Sequence, residues 1–226
     1  MRKIISILLL SIVAVGMSLS LAKIPFGQPK TKVGKHYIDR GIEETGAVNV
    51  VTSVVVSYRG FDTLGEVTVL FIAATGLGAV LGTGRTKAAA IRPASFVLRT
   101  GCRVLFPLIL VFGSYIFIHG HLTPGGGFQG GAIVASAFVL IYLGCREKRI
   151  SEKISTTLES LGGVIFVVVG LIGLAVGGYF LLNFLPEGQP YLLLSAGIIP
   201  VIYIAIGFKV GSELAGVIDN LIEESK

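Results

Sequence analysis

Apolar runs of a length that spans a bilayer recur along this sequence, and the charged residues are gathered into short segments between them. A membrane-crossing helix needs about 20 predominantly apolar residues. Runs at 4–21, 62–81, 104–118 with its flanks, 132–143 with its flanks, 161–185 and 192–208 meet that requirement or come close to it. The chain is 53% hydrophobic and 14% charged, with a mean hydropathy of +0.84, so a polar surface cannot cover it. The expected fold is an all-α, multi-spanning membrane protein with about six transmembrane helices.

The net charge of +6 does not form a stripe that would suit nucleic acid. It sits instead in Arg2 and Lys3, in the five basic residues of 85–103, and in Arg146, Lys148, Arg149 and Lys153. Basic residues favour cytoplasmic loops, so six spans with both termini inside the cell membrane fit this spacing. The segment from Lys23 to Arg59 departs from the rule, because it carries six Lys and Arg on the expected outer side. Ser20-Leu21-Ala22 also resembles a signal-peptidase site. Residues 1–22 therefore read either as a cleaved signal or as a retained anchor, and the six-span count takes the second. Glu213, Asp219, Glu223 and Glu224 suggest a mildly amphipathic cytoplasmic helix beyond the last span. Cys102 and Cys145 have no metal-ligand spacing and read as free cytoplasmic thiols.

Residues 46–58 are apolar but too short for a span, which suits a short helix, interfacial or partly embedded, that leads into the next one. The densest chemistry follows in Tyr58-Arg59-Gly60-Phe61-Asp62-Thr63-Leu64-Gly65-Glu66. On a helix, Asp62 and Glu66 are four apart and share a face. A span long enough to cross must begin near Asp62, which places Glu66 within or just under the headgroups. An ionised group there costs several kcal/mol unless it is paired, neutralised or hydrated. Arg59 is the ready partner. The alternative is that both acids merely favour the positive end of the helix dipole. Thr63, Thr68 and Thr75 add oxygens, with Thr68 and Thr75 on one face, although hydroxyls bonded to the preceding turn explain them equally well. Gly76-x-Gly78 lacks the strand–helix context of a dinucleotide loop, whereas Gly78 and Gly82 suit close helix packing, as do Gly173 and Gly177.

Residues 119–131 read His-Gly-His-Leu-Thr-Pro-Gly-Gly-Gly-Phe-Gln-Gly-Gly and contain no charge. Pro124 with Gly125, Gly126 and Gly127 predicts either a tight hairpin between two helices, or backbones in close approach with irregular chain buried inside protein. His119 and His121 lack the further ligands that zinc needs. They are candidates for a proton relay, an interfacial role or plain hydrogen bonding. No nucleophile–base arrangement, phosphate loop or Cys-x-x-Cys pair is present. Hence no covalent catalysis, bound cofactor or metal is expected in this chain.

Two of these stretches resemble one family. Residues 49–76, with Val-Val-Ser-Tyr-Arg-Gly-Phe-Asp-Thr-Leu-Gly-Glu, are similar to the C-terminal part of the large A subunit of Mrp-type sodium/proton antiporters. They are equally similar to the E subunit of archaeal membrane-bound hydrogenase. From about Arg92 the chain, with His-Leu-Thr-Pro-Gly-Gly-Gly-Phe-Gln-Gly-Gly, resembles the Mrp B subunit and the hydrogenase F subunit. The resemblance implies two modules, 1–91 with two spans and 92–226 with four, fused where separate chains are usual. It implies a subunit that carries Na+ and H+ as transported ions, with Arg59, Asp62, Glu66, Thr68 and Thr75 near the ion path. Within the glycine-rich motif it implies a functional part for Pro124 and Phe128, beside Gly125, Gly126, Gly127 and Gln129. The implied partners are the lipid membrane and other subunits of an Mrp-type antiporter or of a membrane-bound hydrogenase or sulfane reductase complex. The competing expectation is a structural scaffold that links neighbouring subunits without an ion path.

Overall fold

A computed structural model describes residues 2–23, 32–81, 94–145 and 151–224, and these are helical with irregular connections. The join expected at 91/92, Arg85, Lys87 and Arg92 of the basic segment, Gly82, and Arg146, Lys148 and Arg149 lie outside the described residues. The chain divides into two compact units, Met1–His36 and Tyr37–Lys226. In the first, helix α1 (Arg2–Ala22) exposes apolar side chains along its length. Helix α2 (Lys32–Thr45) begins there and ends in the second unit.

The second unit is built on five long helices: α4 (Gly60–Leu81), α5 (Phe96–Ile118), α6 (Gly127–Gly144), α7 (Glu152–Gly177) and α8 (Ile199–Glu224). A short helix α3 (Val50–Thr52) precedes α4 and runs into a π-helical turn, Ser53–Tyr58. This is the short helix expected over 46–58, though its wider winding was not foreseen. Asn49 starts it by accepting a hydrogen bond from the Val51 amide at 3.1 Å. In the same way Ser95 caps α5 through the Leu98 amide. With α1, the described residues contain six helices long and apolar enough to cross a membrane. The chain is a multi-pass membrane protein.

Helix α8 is the hub, packing against α4, α5, α6 and α7. Ile199, Ile202, Ile206 and Val210 are buried along it, with Phe166 of α7, Val67 of α4 and Val56 of the π-helical turn in the same cluster. The glycines of α6 make the packing close. A Cβ at Gly130 would stand 2.8 Å from the Gly113 carbonyl oxygen of α5, and one at Gly131 would stand 2.9 Å from that of Gly207 on α8. Backbones thus approach across both faces of α6, as small residues allow in membrane bundles.

Two spans differ from the sequence expectation. Helix α7 stops at Gly177 rather than continuing to 185, because Gly178 takes the left-handed conformation (φ +82°). The chain then folds back on α7: Leu181 donates its amide to the Gly170 carbonyl at 3.3 Å, and Phe180 and Leu182 lie against Gly170, Gly173 and Gly177. The glycine pair expected to receive another helix receives this returning segment instead. The last span begins at Ile199 rather than 192. Irregular chain precedes it, tied by the Ala196 amide to the Glu187 carbonyl and by the Ile198 amide to Asn183 Oδ1. Pro200 therefore lies in the first turn of α8, where its missing N–H has no intrahelical partner to lose. Nor is there a separate C-terminal helix: α8 runs unbroken through Lys209 and Glu213, which share the last span.

At the opposite end from the glycine-rich turn, the Cys102 and Cys145 sulfurs face each other at 3.4 Å, both buried and not joined by a disulfide. Gly144 packs directly on Cys102.

The α6 contacts predict a graded response at Gly130. Gly130→Ala should destabilise the folded chain by about 1–3 kcal/mol through overpacking. Gly130→Val should cost more, and thermal unfolding in detergent measures both. Equal melting temperatures for wild type and Gly130→Val would show that α5 and α6 do not pack this closely.

Candidate functional site: a polar junction and a line of membrane charges

The glycine-rich turn between α5 and α6 is buried backbone, and its carbonyls need donors because little water reaches them. The donors come from the segment before α4. Asn49 Nδ2 donates to the carbonyls of Gly120 (2.9 Å) and Thr123 (3.0 Å), and the Asn49 amide donates to the His121 carbonyl (3.0 Å). Thr52 Oγ1 donates to the same Gly120 oxygen at 2.6 Å and accepts from the Tyr203 hydroxyl of α8 at 2.9 Å. Beside this, Thr45 and Ser53 share a 2.8 Å hydroxyl contact. Sequence reading did not single out Asn49, Thr52 or Tyr203. Polar side chains in the apolar stretch 46–58 were the available signal.

Within the turn, the residues of the Pro-Gly motif divide by role. Pro124 and Gln129 are exposed, while Phe128 packs on the main core cluster. Gly125 lies against the Ile116 carbonyl, and Gly126, at φ +154°, precedes the first helical residue, Gly127, which packs on Ile206 and the Tyr203 carbonyl. The turn is thus irregular chain packed inside the protein, one of the two forms expected for it.

The two histidines do not act as a pair. His119 stacks on Tyr115 with ring centroids 4.3 Å apart, and its Nδ1 lies 3.1 Å from the Tyr115 carbonyl. His121 is fully buried, and neither ring nitrogen completes a hydrogen bond among the described residues, although the carbonyls of Leu192, Leu193 and Ile118 lie around it. Burial holds its pKa below the ordinary 6.5, and the carbonyls of Leu192 and Leu193 offset part of that effect. Among the described residues, no group of three or more His, Cys, Asp or Glu could hold a metal ion.

The expected acid cluster on α4 is arranged differently from the sequence expectation. Arg59 pairs with Asp62 rather than with Glu66, and both members of that pair are more than half exposed. Asp62 lies in the first turn of α4, where an acid also favours the helix dipole. Glu66 is exposed one turn deeper, and among the described residues nothing hydrogen-bonds or pairs with it. Thr68 and Thr75 lie on the same helix, Thr68 exposed, and Thr68 Oγ1 bonds back to the Leu64 carbonyl at 2.8 Å. Thr63 points inward to the Val55 carbonyl at 2.5 Å, bracing the π-helical turn. Nearby, Tyr58 donates to Glu44 at 2.5 Å, and burial first, then this acid, push its pKa well up.

The deepest charges were missed. Lys209 and Glu213 form a 2.9 Å ion pair on α8, with side chains 8% and 1% exposed. Their spacing of four, with apolar sequence continuing to Ile222, was the signal that the span did not end at Phe208.

A multi-pass helical membrane protein with an irregular, glycine-lined turn and charges along its spans is the class this arrangement defines. The family follows from comparison. Residues 97–216 match the model of a domain related to the MnhB subunit of Na+/H+ antiporters, and residues 1–95 match that of MbhE, the E subunit of MBH. The chain belongs to the MnhB-related family, carried behind an MbhE-like segment. It is 50% identical to a chain in the structure of the membrane-bound sulfane sulfur reductase, an archaeal respiratory membrane complex; the match covers 97% of both chains with a TM-score of 0.81. It is 27% identical to a chain of the Mrp complex from Dietzia, with a TM-score of 0.75 over 97% of this chain and 26% of that one. The B subunit of the Na(+)/H(+) antiporter of Alkalihalophilus pseudofirmus is 40% identical over 91 residues, 39% of this chain and 63% of that protein.

His121 gives a pH prediction with a definite sign. Its folded pKa lies below the unfolded value, so the unfolded chain binds the extra proton first. Stability is then full above about pH 6.5 and falls as pH drops through that value toward the folded pKa. Thermal unfolding in detergent between about pH 7.5 and 5 should show the loss, and His121→Leu should reduce it. An identical acid-side slope in both proteins would place the loss elsewhere.

Proposed function

We propose that this chain is a membrane subunit of an Mrp-type cation/proton antiporter module within a larger energy-converting respiratory complex, and that it contributes to Na+ and H+ translocation. Its neighbours in this reading are other membrane subunits. Both termini lie on the cytoplasmic side of the cell membrane, and the glycine-rich turn lies on the outer side. No cofactor or catalytic residue is assigned to the chain, and the ions are its cargo.

The observation that carries the reading is Glu66: an acid on a membrane helix with no partner among the described residues. Gln would avoid the charge cost at almost the same volume. An unpaired carboxylate there has to be hydrated, protonated or matched by a neighbouring protein, and the first two are what an ion path offers. Asp62 and Arg59 stand at its mouth beside Glu44 and Tyr58, which line an open groove with Arg59. Carboxylate and hydroxyl oxygens suit a hard cation, and Thr68 and Thr75 supply hydroxyls further along α4.

Sodium-dependent pH change in membrane vesicles tests this, with co-purification confirming an intact complex. Glu66→Gln should leave the complex assembled and lower sodium-coupled transport by about tenfold or more. Glu66→Asp should retain part of it with a shifted pH dependence. Wild-type transport in intact Glu66→Gln vesicles would remove this acid from the path. Loss of the protein in Arg59→Ala or Glu66→Arg would favour the scaffold reading. Cysteine labelling at 85–103 and 146–153 should come only from the cytoplasmic side; external labelling of either would end the six-span orientation.

A further inference from the structure

The ion pair of Lys209 and Glu213 is the feature that neither the fold nor the reading of Glu66 uses. It lies inside the last span, where α8 meets α4 and α7. The aliphatic part of Lys209 lies along Gly162 and Gly163 of α7, where a Cβ would stand 2.9 Å from Lys209 Cβ and 3.6 Å from its Cε respectively. Its ammonium lies 5.2 Å from the ring centroid of Phe71 on α4. Glu213 is 2% exposed, its Oε2 accepts from Lys209, and its buried Oε1 has no partner among the described residues. Among the described residues, the other charge facing it is Glu159 of α7. Helix α4 beyond Glu66 and the whole of α6 carry no charge.

A structural role accounts poorly for this pair. Both residues belong to one helix, so their bond ties α8 to nothing else. Burying two charges costs more than burying apolar side chains of similar volume, and such pairs are often replaced without loss of stability. Charges retained at that depth mark function by default. The ion concerned is a proton, because an ammonium 2.9 Å away repels a metal cation from the same carboxylate. Lysine and glutamate can exchange one proton along their 2.9 Å hydrogen bond.

We propose that Lys209 and Glu213 form a proton-transfer pair within this protein. Lys209 Nζ gives a proton to Glu213 Oε2, and ammonium and carboxylate become amine and carboxylic acid with no change in net charge. Glu213 releases the proton from its carboxyl group toward Glu159 and the cytoplasmic end of α7. Lys209 takes up the next from the α4 side, beside Phe71. One proton moves per cycle and no other reactant is needed. The assignment rests on the reading of the chain as part of an antiporter module, but it is independent of Glu66.

Three variants of the intact complex test it in vesicles, with co-purification as the check on assembly. Lys209→Arg keeps the ion pair but places there a group that does not release its proton. The double variant Lys209→Met with Glu213→Gln removes both charges at similar volume. Both should assemble, and both should lower proton flux by about tenfold or more. Infrared difference spectra between low and high pH should show a carboxylic-acid band in the wild type that the double variant lacks. Wild-type flux in either assembled variant would overturn the proposal, as would failure of the double variant to assemble, which would make the pair a structural brace. Glu66→Gln, the third variant, separates the two readings in the same assay. Lost flux in the double variant with normal flux in Glu66→Gln removes only Glu66 from the path, and the converse removes only the buried pair.

Discussion

The Gly120 carbonyl is the acceptor on which one end of this protein depends. It takes hydrogen bonds from Asn49 and Thr52, and Thr52 in turn receives one from Tyr203, so the segment before α4, the turn and α8 are joined in one chain of hydrogen bonds. Irregular backbone near a bilayer persists only where its polar groups are satisfied inside the protein. Leaving one such buried group unpaired costs about 1–3 kcal/mol. The segment matched to MbhE therefore supplies hydrogen-bond donors to buried carbonyls of the segment matched to the antiporter domain. A covalent link between them fits this, because the junction forms only when both are present.

Once the turn is fixed, the glycines decide how closely the helices approach. Gly127, Gly130 and Gly131 begin α6 with no side chains in the way, so α5 and α8 close on it from two sides. That contact places α8 at the centre of the bundle. It also leaves α4 at the edge, where it buries only Gly60, Thr63 and Val67, with the rest of its length partly or fully exposed. The exposure of Glu66 thus follows from the packing of helices that do not touch it.

Much of this was legible in the sequence. Apolar runs marked six helices because bilayer thickness imposes a length that composition reveals, and the glycine-rich stretch announced buried irregular chain. Boundaries were harder. The stop at Gly178 and the fold-back of Phe180 to Leu182 depend on a left-handed residue and on a glycine face of α7, and an apolar sequence looks the same whether it continues as helix or returns. Lys209 ended the predicted last span because a charge ordinarily marks the membrane edge. Its partner four residues on, and the glycines of α7 that make room for it, are tertiary facts. Arg59 choosing Asp62 over Glu66 is equally a matter of helix start: the chain enters α4 at Gly60, which puts Arg59 just before the first turn and within reach of its acid only.

The charges of this protein illustrate two solutions to one physical problem. A charge within a membrane must be neutralised, and a chain can do this internally or leave it to something outside. Lys209 and Glu213 take the first course, each desolvated and each answering the other within α8. Glu66 takes the second, since nothing among the described residues of its own chain meets it. A self-paired site keeps its charge balance whatever happens at the surface and suits a particle as small as a proton. An exposed acid at the edge of the bundle has its charge set by what lies against α4, whether water, a cation or a neighbouring protein. Helix α4 therefore has its full meaning only inside a larger assembly, whereas α8 carries its chemistry with it.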